Sequence, residues 1–313
     1  MTNLSEFTFL SSDGKTQLHG MLWEPEGVAV RAVLQICHGV AEHIARYDGF
    51  ARALNEQGIV VAGHDHLGHG KSLPEGGTPV YFGEGNTWNT VVDDIYILHQ
   101  RLKQRYPDAP LCIMGHSMGS FLTRTYLIRY PGTVKAAVIM GTGWQPQAAI
   151  TGGLALANAI AAVSGENATS ELVTELAFGS YNKLFAPNRT KVDWLSADES
   201  NVDDYIADPL CGADATVGLF RQMLHGIRFN QRQSHLRQMD REMPVLFVAG
   251  DKDPVGSCGK GVRQTYDAFR AAGMRDCTLK LYLGLRHEIL NEKAYTADIT
   301  KNIEAWLLSR LEK

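Results

Sequence analysis

Apolar residues in this chain gather into short solid runs, separated by stretches in which they recur every third or fourth position. Residues 32–37, 59–62, 111–114, 136–140 and 244–250 are almost wholly apolar, as strands buried on both faces must be. Residues 278–283 read as a further strand. Trp88, Val91, Val92, Ile95, Leu98 and Leu102 repeat at helical spacing, as do Phe121, Leu122, Tyr126 and Leu127, and near the end Ile299, Ile303, Trp306 and Leu307. Residues 6–10 and 17–23 alternate around Ser12-Asp13-Gly14, which predicts an amino-terminal hairpin. Strands alternating with helices imply an α/β fold: a mostly parallel central sheet flanked by helices. The alternation stops between Gly143 and Arg241. That stretch is helical in composition, apolar at Ile150, Leu154, Leu156, Ile160 and Val163, and broken by Gly165, Pro187 and Pro209. It is too long for a loop in a compact domain. We therefore expect residues 144–241 to form an inserted helical cap, or lid, with 1–143 and 242–313 making the core.

Composition narrows the picture. A chain of 313 residues can bury a substantial core. Thirty basic against 34 acidic residues leave a net charge of −4, which gives no electrostatic basis for nucleic-acid binding. The five cysteines stand at 37, 112, 211, 258 and 277, scattered and odd in number. Cys37 and Cys112 fall inside predicted core strands as small hydrophobes, so a disulfide framework is not expected and a reducing interior fits. The amino terminus has neither a basic nor an apolar targeting region, and the mainly apolar stretch 154–163 is too short to span a bilayer. A cytoplasmic location is the expectation.

The chemistry is concentrated in Gly115-His116-Ser117-Met118-Gly119, set between a predicted strand and a predicted helix. In that setting Gly-x-Ser-x-Gly is a nucleophile elbow: the turn strains the serine backbone and leaves no room for Cβ atoms two residues to either side. A serine hydroxyl needs a base to take its proton and a carboxylate to orient that base. Downstream, Asp251-Lys252-Asp253-Pro254 follows one strand and Gly284-Leu285-Arg286-His287-Glu288 follows the next, both where an open α/β sheet meets its ligands. His287 is the candidate base. Asp251 and Asp253 compete for the carboxylate, and Glu288 is too close in sequence to His287 to make the orienting contact. One oxyanion donor is expected from the backbone N–H of Met118. His64, His66 and His69 lack a zinc-like spacing, and Gly68, Gly70, Gly76 and Gly77 lack that of a phosphate loop. No metal or organic cofactor is implied.

Four motifs, His38-Gly39-Val40-Ala41-Glu42-His43, residues 65–72 (Asp-His-Leu-Gly-His-Gly-Lys-Ser), the serine pentapeptide, and Gly250-Asp251-Lys252-Asp253 with residues 284–287, resemble those of the α/β-hydrolase superfamily. Within it the chain is similar to the monoacylglycerol lipase and lysophospholipase-like group, also described as serine aminopeptidase-like hydrolases. The resemblance runs from about residue 5 to the end and is weak between about 145 and 235. It implies Ser117 as nucleophile, Asp253 as the acid, His287 as base, and Val40 N–H as the second oxyanion donor. Ala41 stands where relatives often carry glycine. The implied activity is a serine carboxylic-ester hydrolase working through an acyl-enzyme on a small-molecule acyl ester, such as a monoacylglycerol or lysophospholipid. A cap rich in Leu, Ile, Phe and Met would line an acyl-chain tunnel and allow transient contact with lipid surfaces. A thioesterase, amidase or peptidase could share the triad, and the alternative of another class is a non-catalytic ligand-binding homologue.

Overall fold

The computed structural model describes residues 1–311. Eight strands form one sheet in the order β1-β2-β4-β3-β5-β6-β7-β8. They are β1 (Thr2–Leu10), β2 (Gln17–Pro25), β3 (Ala32–Cys37), β4 (Ile59–His64), β5 (Leu111–His116), β6 (Ala136–Met140), β7 (Val245–Gly250) and β8 (Cys277–Tyr282). β1 and β2 pair antiparallel as the predicted hairpin, and β2 also runs antiparallel to β4. Every other pairing is parallel. The strand order reverses around β3, which lies between β4 and β5, so a crevice opens at the carboxyl ends of β3 and β5.

The pleat divides each strand between two cores. Ile113, Ile139 and Phe247 join Val91, Ile95 and Leu98 of helix α2 and Phe121 and Leu122 of α3 on one face. Cys112, Met114 and Val138 face the other way, against Phe50 and Leu54 of α1 and Ile299, Ile303 and Leu307 of the helix Thr296–Leu311. Here α1 is Asp48–Asn55, α2 Thr87–Arg105 and α3 Met118–Arg129. The solid apolar runs of the sequence are thus explained by a sheet covered on both sides.

Between β6 and β7 the chain is helical, apart from an isolated bridge pairing Thr169 with Thr216. Helix α4 (Gln147–Ser164) buries only Ile150, Leu154 and Ala157, and ends at Gly165, whose φ is +87°. No charged residue lies between Lys135 and Glu166. One expectation is corrected here. The apolar segment is not confined to 154–163; by length and composition this 18-residue helix could cross a membrane. Alanines, glycines and the polar Gln147, Thr151 and Asn158 dilute its apolar pattern, so its extent was not visible from the large apolar residues alone. Helix Val217–Asn230 packs on α2, α3 and α4. A Cβ on its Gly226 would lie 2.2 Å from Trp88, and one on Gly153 of α4 would lie 2.8 Å from Leu224.

Candidate active site

Ser117 sits between β5 and α3 with φ 54° and ψ −121°, a left-handed conformation that side chains avoid. The flanking glycines make the turn geometrically possible. A Cβ on Gly115 would lie 2.2 Å from Gly119 O, and one on Gly119 would lie 2.0 Å from Cys37 O. Neither backbone oxygen can move without breaking the sheet or the helix start. Ser117 N–H donates to Met140 O at 3.1 Å, and Ser120 N and Oγ both donate to Ser117 O, at 2.9 and 2.6 Å. The strained residue is therefore held by its neighbours on both sides. It is 9 % exposed.

Across the crevice, the loops after β7 and β8 bring a carboxylate to an imidazole. His287 Nδ1 lies 3.0 Å from Asp253 Oδ1, with the two side chains 2 % and 0 % exposed. The separation is that of an orienting contact, although the ring N–H is turned off the hydrogen-bond line and Asp253 Oδ2 has no partner. Val255 N–H donates to Asp253 Oδ1 at 2.9 Å and fixes the carboxylate from behind. Asp251, the rival in sequence, instead accepts from Gly284 N–H at 2.7 Å and shapes the turn beneath His287. A Cβ on Gly39 would lie 3.0 Å from Ser117 Cβ, and one on Gly141 would lie 3.0 Å from His287 Cε1. Glycine on both sides thus clears the floor on which serine and imidazole sit.

Val40 follows Gly39 in the loop after β3, and Met118 opens α3 directly after Ser117. Ala41, where relatives often carry glycine, adopts φ 52°. Its carbonyl accepts from Gly212 N and from Tyr205 Oη, both at 3.0 Å, so the inserted segment holds this loop in place.

Behind the loop lies a buried ionic network. Glu42 accepts from Gly39 N at 2.5 Å, Tyr47 Oη at 3.0 Å and Arg46 at 3.0 Å, and touches His116 Nδ1 at 3.2 Å. Arg46 also forks onto both oxygens of Glu288, at 2.7 and 2.8 Å. Burial pushes the Glu42 carboxyl up, but His116 and then Arg46 outweigh it and hold Glu42 well below the usual range. Burial acts likewise on Glu288, and Arg46 reverses it. The Glu42–Arg46 pair at i, i+4 was a signal in the sequence; its link to Glu288 was not. Trp194, from the weakly matched segment, packs on His287 with ring centroids 5.1 Å apart, and no periodicity announced it.

The histidines of the 65–72 loop are internal. His66 N–H donates to His38 Nε2 at 3.0 Å, while His64 and His69 are pushed down to about 3 by burial. Asp65 organises the loop by accepting from Ile44 N and Lys71 N and contacting His19. Among the described residues, His43, Asp208 and Cys211 bring metal-type donor atoms within 4.8 Å of one another. His43 Nε2 and Asp208 Oδ2 already satisfy each other at 2.8 Å, a contact that ties the inserted segment to the core.

Residues 28–294 match the sequence profile of the family described as serine aminopeptidase, S33. The chain belongs to that α/β-hydrolase family. Within it the protein falls in the monoacylglycerol lipase-like group of serine hydrolases. It is 30% identical over 312 residues to the monoacylglycerol lipase of Mycolicibacterium smegmatis, covering 98% of each chain. The monoglyceride lipase of Mus musculus is 28% identical over 96% of this chain and 90% of its own. Among solved structures, a thermostable carboxyl esterase from Bacillus coagulans in complex with glycerol superposes with a TM-score of 0.92 at 26% identity, covering 99% of this α/β-hydrolase and 100% of that chain.

Proposed function

We propose that the protein hydrolyses monoacylglycerols or similar single-chain esters through an acyl-enzyme formed on Ser117. The observation that carries this reading is the strained Ser117 elbow, with His287 held against Asp253 and packed on His116, the residue before the serine. In the proposed cycle His287 Nε2 takes the Ser117 proton as Oγ attacks the ester carbonyl. The tetrahedral oxyanion is met by the N–H groups of Val40 and Met118. As the intermediate collapses, the bond to the leaving alkoxide breaks and His287 returns the proton to it, releasing an alcohol. Water, deprotonated by His287, then attacks the acyl-Ser117 ester and frees a carboxylic acid. Asp253 holds the imidazole tautomer throughout.

Residues 144–241 act in this reading as a cap over the core formed by 1–143 and 242–313. The near-closed state of Ser117 and the packing of Trp194 on His287 support a cap that must open to admit an acyl chain. The uncharged, largely exposed α4, with Val163 88% exposed and Leu172 and Leu176 exposed beyond it, supports transient contact with a lipid surface from the cytoplasmic side. Labelling with a fluorophosphonate tests the assignment. The wild type should be modified at Ser117 alone and Ser117→Ala should remain unmodified; labelling that persists in Ser117→Ala contradicts it.

A further inference from the structure

A second concavity shares no residue with the Ser117 site. It is a cleft of about 540 Å³ between the start of α2, the end of α3 and helix Val217–Asn230 of the inserted segment. Arg129, Arg221, His225, Arg228 and Arg232 line it, Phe229 supplies an apolar wall, and none of its lining among the described residues is acidic. Two of the arginines are occupied, Arg129 with Asp93 at 2.7 Å and Arg221 with Glu166. Arg228 and Arg232 have no carboxylate partner among the described residues; Arg228 Nη2 lies instead 3.0 Å from His225 Nδ1. Burial and then Arg228 and Arg221 push the His225 imidazole down. The start of α2 adds to the same field. It carries no acidic residue in its first turn, and Asn86 makes no side-chain cap there.

Guanidinium forks match the oxygens of a phosphate better than any other common anion. Two guanidinium forks with no carboxylate partner among the described residues, beside a helix start and in a cleft wide enough for more than a lone ion, define such a site. We propose that this cleft binds a phosphate group, carried by a soluble phosphoester or by a phospholipid headgroup, and thereby clamps the inserted segment to the core. Gly85, Asn86 and Asn89 at the start of α2 belong to the core wall of the cleft, while Arg228 and Arg232 belong to the inserted segment. A phosphate held between them restrains the segment that packs over His287. Helix Val217–Asn230 also packs against the uncharged, exposed α4, so a phospholipid source would engage neighbouring elements of the inserted segment.

The test is calorimetric titration of the full chain with inorganic phosphate at constant ionic strength, with chloride as control. Saturable binding is expected, with the His225 ring titrating at higher pH in the phosphate-bound protein by NMR. Replacing both Arg228 and Arg232 by Gln should weaken binding about tenfold or more, since hydrogen bonds to charged groups are lost. Circular dichroism in phosphate-free buffer checks the fold of that variant, and Arg232→Gln at its exposed position serves alone if the double variant fails to fold. A second arm uses phosphatidylcholine vesicles with and without phosphatidic acid. Binding that needs phosphatidic acid and both arginines assigns the phosphate to a headgroup; binding of free phosphate with no preference between vesicles assigns it to a soluble phosphoester. No binding in either arm, or binding indifferent to the arginine substitutions in folded protein, overturns the proposal.

Discussion

Ser117 and Ala41 both hold φ near +50°, and each is kept there by a different neighbourhood. The serine is wedged by a turn that only glycines at 115 and 119 can close, and its strain is held by the strand and helix on either side. The alanine is held by two hydrogen bonds to its carbonyl from the inserted segment. Asp251 and Asp253 make the same contrast two residues apart: one carboxylate caps a turn, the other faces an imidazole. Asp253→Asn should therefore lower turnover by roughly 10⁴-fold, as loss of the orienting carboxylate does in other triads. Asp251→Asn should leave turnover within about tenfold and act mainly on stability, because it retains an acceptor for Gly284 N–H. Steady-state kinetics of the two variants checks this; a larger loss for Asp251→Asn would reverse the assignment.

Among strands and loops, some features are legible in the sequence and others are not. The strands were readable because both faces of the sheet are covered, which forces solid apolar runs. The elbow was readable because its glycines answer to sub-van der Waals geometry. Trp194, Tyr205 and the link from Arg46 to Glu288 were not. They work through contacts across 90 to 250 residues, and nothing periodic marks a side chain chosen for what it meets in another loop. Arg46 shows the consequence. It joins Glu42, behind the loop after β3, to Glu288, beside His287, and so sets the spacing of two walls of the crevice. Removing it strands two buried carboxylates. Arg46→Met should destabilise the protein by about 3–5 kcal/mol, measured by urea unfolding. A loss below about 1 kcal/mol would mean that the network is better solvated than its burial implies.

For the molecule as a whole, the buried histidines dominate the dependence of stability on pH. Burial lowers His38, His64, His66 and His69 in the folded state. The unfolded chain binds protons at these sites first, so stability falls as pH drops below about 6.5 and keeps falling toward about 3. His19, raised chiefly by Asp65, and His116, where Glu42 overcomes burial, act above that window: their contribution is fully present below about pH 6.5 and is lost as pH rises past it. His99 and His225 are lowered as well, so six histidines act against Asp94, which burial raises to about 6 and which gains as pH drops; the net is a loss. Below about pH 4.5, Glu42, Glu288 and Asp65, all lowered in the fold, add to it as they protonate. Unfolding free energy should drop by roughly 1 kcal/mol per pH unit for each histidine in excess between pH 6.5 and 5. A flat profile there would show that the histidine cluster reaches water.

In the proposed cycle Ser117 carries the acyl group of a single-chain ester under the helical cap. That step is tested most directly by turnover on monoacylglycerols of increasing chain length, with Ser117→Ala as the blank. The account predicts a clear optimum at medium or long chains and loss of nearly all activity in the variant. Activity confined to acetyl or butyryl esters would contradict the acyl-chain reading, and activity retained by Ser117→Ala would contradict the mechanism itself.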